Sequence, residues 1–399
     1  MEYFEELLTK PSIFRDESKL DINFIPKKLP HRGKELSLLS QLFLVLITKP
    51  NSVSRKILIT GKTGIGKTVT VKSFGDILER ISKKRDIKIK FLHVNCRKER
   101  TSYKVLNKII RLLDKNFPKR GYSSQDLLDI LIDLLEHKDL HLLIALDELS
   151  YLINKNEDLI YSLTRINEDA INGEQRISLI GIVRDITCLN NLDNSTMSTL
   201  QRNIIKFNIY SKEQIFDILK YRTEISLDKN VLSNKLIEMI SEITSNSCDI
   251  RHGLNLMWRA SKIAESKNLK YITTECVRLA NQDLLPFSTL DILKYMNIQQ
   301  LTFFLAIVRE LSNSDDIEIS FSEILKSYYI ICENFRLTPR SHSQLWIYLQ
   351  ELKRDNLVFI KNISEGIKGR RALIWISDLS LLKLEKNIEH LLNAKGLLN

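Results

Sequence analysis

Residues Gly61 to Thr68 read GKTGIGKT, which fits G-x-x-x-x-G-K-[ST] directly after the apolar run RKILIT and before an amphipathic stretch. Glycines at these positions let backbone N–H groups turn inward around a polyphosphate, and the following helix N-terminus adds its partial positive charge. In that arrangement Gly61, Thr63, Gly64, Ile65 and Gly66 form the cradle, Lys67 reaches the outer phosphates and the Thr68 hydroxyl ligates Mg2+. Such a loop needs a carboxylate at the end of a neighbouring strand, and LLIALDE supplies Asp147 to hold the metal through water. Glu148 follows it, placed to orient or activate an attacking water. The expected ligand is ATP or ADP with Mg2+.

A second constellation lies near the C-terminus. The helical patterns IQQLTFFLAIVRELS and SFSEILKSYYIICENF precede TPRSHSQLWIYLQELKRDN, which carries a helix-start signal at Thr338 and Pro339. LVFIKNI and RALIWIS then alternate around SEGIKGR. Three helices and a hairpin make a winged helix, whose third helix enters the major groove while the hairpin tip follows the backbone or the minor groove. Leu345, Leu349 and Leu352 are expected in the core; Arg340, Ser341, His342, Ser343 and Gln344 are expected to face DNA. At the tip, Lys368, Arg370 and Arg371 surround Gly369, which permits close approach to a sugar-phosphate chain.

These residues need elements to hold them. RKILIT, KIKFLHVNC, HLLIALDE, RISLIGIVRD and IIKFNIY read as strands, with helices over 68–84, 102–117 and 124–138 between them. Strand, loop, helix, strand is a βαβ unit, so the fold class is an α/β domain with a parallel sheet. From Ser211 to about Leu285 the pattern is helical, as in a small all-α lid, and a change of register near Pro286 opens the winged-helix module. The expected boundaries are 15–210, 211–286 and 287–399.

Composition narrows the partners. A formal net charge of +11 over 399 residues favours a polyanion such as nucleic acid or an anionic surface. The 12 glycines are well below the roughly 28 that ordinary usage would give, so their clustering at Gly61–Gly66 and at Gly366 and Gly369 is informative. Five widely spaced cysteines suggest neither a disulfide framework nor a metal site. With no apolar run of membrane-spanning length and no secretory leader pattern, a cytoplasmic, nucleoid-associated protein with no membrane partner is expected.

The loop, the acidic strand, the opening phrase FIPKKLPHRGKEL and the segment SCDIRHGLNLMWRAS together resemble the archaeal replication initiators. These are AAA+ relatives of the eukaryotic origin-recognition and cell-division-cycle loading ATPases. The resemblance implies that Leu29, Pro30, His31 and Arg32 pack beside the adenine and that Arg251 is the second sensor, reading the γ-phosphate from the lid. It implies a DNA-contacting insertion at NFPKRGYSS, with Lys119 and Arg120 on phosphates. Its implied partners are double-stranded origin DNA, paralogous initiator subunits and the replicative helicase.

Two positions depart from that pattern. Where the family has a polar first sensor, usually Asn, this chain has Arg184 followed by Asp185, and Ser195 stands where relatives supply an arginine finger, with Arg202 nearby. Slow hydrolysis is expected, because a finger can be worth roughly 10³–10⁵ in rate. Two other readings share the layout: a STAND-type signalling ATPase whose winged helix packs on protein, and a clamp-loader-like motor. The first usually carries a long repeat region after the wing, and Arg184 and Ser195 weigh against the second.

Overall fold

Five apolar runs pair as parallel strands in the order β2-β3-β4-β1-β5: β1 (Lys56–Thr60), β2 (Ile89–Asn95), β3 (His141–Asp147), β4 (Ile177–Val183) and β5 (Ile204–Lys206). This computed structural model describes residues 5, 12–153, 157–165, 174–192, 194–201, 203–282, 287–314, 318–355, 357–364, 370–376 and 380–396. The helices of this part are α1 (Gly33–Thr48), α2 (Lys67–Lys84), α3 (Ser102–Leu113), α4 (Ser124–His137), α5 (Ser150–Ile153), α6 (Glu157–Arg165) and α7 (Asn194–Gln201).

Side-chain alternation along the strands divides the core into two layers. Leu58, Leu142, Ile144 and Leu146 face one side with residues of α3 and α4, including Ile109 and Leu131. Ile57, Ile59, Leu143 and Ala145 face the other with Leu39 and Phe43 of α1 and Phe74 of α2. A sheet buried on both faces needs apolar residues in both phases, which is why β3 is buried along its whole length. β5 is shorter than the run IIKFNIY suggests: Phe207 N–H still bonds Thr60 O, at 2.8 Å, but Asn208 O is taken by an arginine side chain instead of a strand.

The register aligns the chemistry. Thr60 pairs with Val183, and Asn95 with Asp147, so the C-terminal ends of β1, β2, β3 and β4 form one rim. After β5 come α8 (Lys212–Ser226), α9 (Asn234–Ser247) and α10 (Ile250–Ser266), packed through Leu219, Ile240, Leu256 and Met257. Ser211 opens α8 with a capping box.

The chain divides into two compact units, residues 1–273 and 274–399, so α11 (Thr274–Gln282) groups with the second. That unit continues with α12 (Phe287–Tyr295), α13 (Ile298–Asn313), β6 (Ile319–Ser320), α14 (Phe321–Asn334), α15 (His342–Arg354), β7 (Phe359–Ser364), β8 (Arg370–Trp375) and α16 (Leu381–Ala394). Strands β6, β8 and β7 pair antiparallel in that order. Phe303, Phe304, Tyr328, Leu345, Leu349 and Ile374 form its core.

Two features of this unit differ from the sequence expectation. The third helix starts at His342 and not at Thr338–Pro339, because Ser341 Oγ accepts Gln344 N–H while Arg340 N–H is drawn to Tyr328 Oη, 3.2 Å away. Helix α16 goes beyond three helices and a hairpin; Leu384, Ile388 and Leu392 bury its apolar face, and Arg309 of α13 bonds Glu385 and Glu389 at 2.8 and 2.6 Å. Among the described residues no helix is long and apolar enough to cross a membrane.

Candidate functional site

The loop between β1 and α2 passes through three glycines with positive φ: Gly61 (+146°), Gly64 (+76°) and Gly66 (+89°). Helix α2 begins on Gly66 with no side-chain cap, so its first N–H groups are left to whatever anion lies in the loop. Lys67 is buried, and its Nζ donates to Gly61 O at 2.5 Å and Lys62 O at 2.6 Å. Burial pushes its ammonium down to about 8, against the attraction of Glu148 and Asp147, which raises it; Arg184 and Arg251 lower it further.

Asp147 ends β3 and is buried. Burial alone would raise its carboxyl, but hydrogen bonds from His93, Thr68 and the Glu148 N–H hold it below the ordinary carboxylate range. Thr68 Oγ1 donates to Asp147 Oδ2 at 2.7 Å, His93 Nε2 lies 3.0 Å from the same oxygen, and Glu148 N–H reaches Oδ1 at 2.9 Å. The hydroxyl and the ionised carboxylate are hard oxygen donors next to a phosphate loop, which is the donor chemistry Mg2+ takes. Glu148 follows with φ +53°, and Arg184, just past β4, forks onto it: Nε to Oε2 at 3.0 Å and Nη2 to Oε1 at 3.1 Å.

The lid closes one side of the loop. Asp249 caps α10, and Arg251 folds back on it with Nε 2.9 Å and Nη2 2.7 Å from its two carboxylate oxygens. Ile250 N–H bonds Gly64 O at 3.2 Å, and a Cβ on Gly64 would meet Asp249 Oδ1 at 2.0 Å. Only glycine serves there, for its backbone angle and for the space.

Arg32 is buried beneath the loop. Its guanidinium donates to Ile65 O at 2.7 Å, to Asn208 O at 2.9 Å and to Tyr210 Oη at 2.8 Å, and lies over the Tyr210 ring at 4.0 Å. It ties the start of α1, the phosphate loop and the strand-to-lid connection to one another. His31 takes φ +61° and places Nε2 2.8 Å from Asp217 of α8, while Leu29 and Pro30 are half-buried.

At the turn between α3 and α4, Tyr103 Oη bonds Lys119 O at 2.7 Å and Phe117 stacks on Tyr122, which shapes the loop and leaves the Lys119 and Arg120 side chains exposed. In the winged helix, Arg340, Ser341, His342 and Ser343 are exposed at the start of α15 and Gln344 is half-buried. The His342 ring sits edge-on to Phe321, 5.0 Å between centroids. Lys368 and Gly369 lie outside the described residues, as do Arg202 and the side chains of Arg370 and Arg371; Ser195 is exposed on α7.

Four residues of this arrangement are not singled out by the sequence in these roles: His93, Asp249, Tyr210 and Arg184 as the partner of Glu148. Asp249 had a signal, a helix-capping Asp two residues before Arg251. The other three depend on strand register or on the chain returning from far away.

Three stretches match known families: residues 52–183 an AAA domain, 216–282 the Cdc6 AAA+ ATPase-type lid domain, and 291–381 the CDC6 C-terminal winged helix domain. The chain is 31% identical over 399 residues to ORC1-type DNA replication protein 2 of Sulfurisphaera tokodaii, covering 98% of this chain and 94% of that one. It is 33% identical to the protein of the same name from Sulfolobus acidocaldarius, covering 96% and 97%. Its fold is similar to that of the Aeropyrum pernix ORC1 protein solved in complex with DNA, with TM-score 0.81, 24% identity and coverage of 96% and 98%. Cdc6p from Pyrobaculum aerophilum matches with TM-score 0.63 and 29% identity, over 96% of this chain and all of that one.

Proposed function

Because the chain belongs to the ORC1-type DNA replication protein family, we propose that it is a nucleotide-switched initiator that binds duplex DNA at a replication origin. What supports this reading most is the presence, in one chain, of a phosphate loop with its paired acids and a winged helix whose third helix starts with exposed polar and basic residues. The +11 net charge favours the same partner.

The nucleotide is held by the loop from Gly61 to Thr68, with Lys67 on the outer phosphates. Thr68 and Asp147 would hold Mg2+, which when bound would neutralise phosphate charge. Glu148 takes a proton from the attacking water, and Arg251, paired with Asp249 in this structure, reads the terminal phosphate from the lid. Leu29, Pro30 and His31 flank the base, with Arg32 fixing the loop below them. Turnover is slow, since Arg184 replaces the family's polar first sensor and Ser195 offers no cation to a neighbour.

DNA is gripped by Arg340 to Gln344 at the helix start, by Lys368, Gly369, Arg370 and Arg371 at the wing, and by Lys119 and Arg120 of the α3–α4 turn. Paralogous initiator subunits and the replicative helicase are the protein partners, acting at the nucleoid in the cytoplasm. Binding of origin and random duplexes, followed over a salt series, tests the reading. Arg370→Ala with Arg371→Ala should weaken both duplexes and flatten the slope of log K against log salt by roughly 0.9 for each phosphate no longer neutralised. Replacing His342 or Gln344 should instead narrow the preference for origin DNA, by about 1–3 kcal/mol where the side chain bonds a base edge. An unchanged salt slope after the wing double substitution would turn the winged helix toward a protein partner, as in the signalling ATPases.

A further inference from the structure

The hairpin of the second unit carries apolar residues in both of its phases. Between β7 and β8 the register pairs Phe359 with Trp375, Ile360 with Ile374 and Lys361 with Leu373. Ile360, Ala372 and Ile374 form the phase that packs on the core of this unit. The other phase of such an antiparallel pair is ordinarily polar, but here it holds Phe359, Leu373 and Trp375 beside Lys361. Phe359 keeps 39% of its surface exposed, Leu373 and Trp375 are half-buried, and Lys361 is exposed. The Phe359 and Trp375 rings stack, with 5.6 Å between centroids and 20° between planes. A cross-strand aromatic pair stabilises a hairpin, but that role alone does not call for a ring left in water. β7 is also the edge strand of its sheet.

We propose that this face of the hairpin is a stacking platform for single-stranded DNA, of the kind that an opened duplex presents. The inference rests on the DNA-binding reading above and adds to it a second form of the ligand. An exposed aromatic ring offers its flat face to a base, and such stacking accepts any base because each has a π-face. Bases within a duplex already stack on their neighbours and show a protein only their edges and backbone, so the ring selects an unpaired strand. Charge favours the same occupant: the charged residues of β7 and β8 are Lys361, Arg370 and Arg371, all cations, with no carboxylate among them. Lys361 is the next residue of this face along β7, about 7 Å from Phe359 in strand geometry, where it can meet the phosphate beside a stacked base. An apolar protein partner would leave these cations without counter-charge, whereas a nucleic acid strand matches both rings and cations.

The experiment uses the full chain with a short oligothymidylate, an abasic strand of equal length and a duplex of equal length. Anisotropy of labelled probes gives the affinities, and intrinsic tryptophan emission reports stacking. Oligothymidylate should bind about fivefold or more tightly than the abasic strand, the value of one stacked base, and should quench the emission. Trp375→Phe should keep that affinity and remove most of the quenching, which separates this ring from Trp258 and Trp346. Phe359→Ala should weaken oligothymidylate binding by about fivefold or more and leave the abasic strand and the duplex nearly unchanged. Phe359→Leu keeps apolar volume without the flat ring and should lose as much; it carries the test if the alanine variant fails to fold, with thermal melts reporting an intact hairpin unit. Lys361→Ala should weaken both single strands alike and flatten the slope of log K against log salt by roughly 0.7. Equal affinity for oligothymidylate and the abasic strand, or full oligothymidylate affinity in Phe359→Leu, would overturn the proposal and turn this face toward a protein partner. An equal loss of duplex affinity in Phe359→Leu would overturn it as well, because the ring would then only support the wing. Failure of the unaltered chain to bind any of the probes would overturn both readings.

Discussion

The ammonium of Lys67 is held close to neutrality by burial, at about 8, and its two carbonyl partners offer no full charge to offset that cost. Phosphate oxygens do offer one, so bound nucleotide raises this value, and binding above pH 8 must take up a proton. Affinity for ADP is therefore expected to be nearly flat from about pH 7 to 8 and to fall toward roughly tenfold per unit above it, measured by fluorescent-nucleotide titration across pH. In Lys67→Ala the affinity should fall by about tenfold or more, since a hydrogen bond to a charged group is worth about 1.5–3 kcal/mol, and this alkaline slope should disappear. An alkaline slope that survives the substitution would assign the proton to another group.

At the scale of elements, close approach of α2 to β2 depends on Gly75. A Cβ there would lie 2.2 Å from a ring carbon of Phe91. Alanine would gain about 1 kcal/mol of helix propensity, but overpacking costs typically about 1–3 kcal/mol, so Gly75→Ala should destabilise by about 1 kcal/mol net. Partial recovery on adding Phe91→Leu, read from thermal melts, would identify the clash as the cause. The β3–β4 pairing contains a second test. His141 is buried with its ring nitrogens 3.0 Å from Ser178 Oγ and 3.3 Å from Asn51 Oδ1, and burial, aided by Arg176, lowers it to about 4. The unfolded chain, titrating near 6.5, binds more protons than the fold between those values. Stability is thus full above about pH 6.5 and falls as pH drops toward about 4, by up to about 3 kcal/mol. In His141→Gln, denaturant midpoints should change less across this window; an equal slope in both proteins would place the acid sensitivity elsewhere.

For the whole molecule, the separation of cores is the governing fact. Among the described residues, the second unit's core runs from Ile292 to Leu392 and draws on α12 to α16 and β6 and β8, with no residue taken from the first unit. A fragment of residues 274–399 should therefore fold alone, with a single cooperative melt and a helical spectrum. A fragment without a cooperative transition would mean that this core needs the first unit.

The AAA+ layout with a helical lid and winged helix was legible in the sequence because its signals are local: two-phase apolar strands, three- and four-residue helix periodicity, and glycines placed where the backbone must turn left-handed. GKTGIGKT and the pair Asp147–Glu148 could be read as strings for the same reason. Their mutual placement could not, since Thr68 meets Asp147 across 79 residues and Arg32 meets Tyr210 across 178. Nor could the start of α15, where the choice between Pro339 and Ser341 falls to the hydroxyl of Tyr328 on another helix. Arg184 shows the division most clearly: its identity departs from the family pattern in the sequence, but its partner follows from a register that pairs Leu146 with Gly181. Local propensity and periodicity act within a few residues and are written in the chain, whereas a two-bonded ion pair is decided only when packing has brought two strand ends within hydrogen-bonding distance.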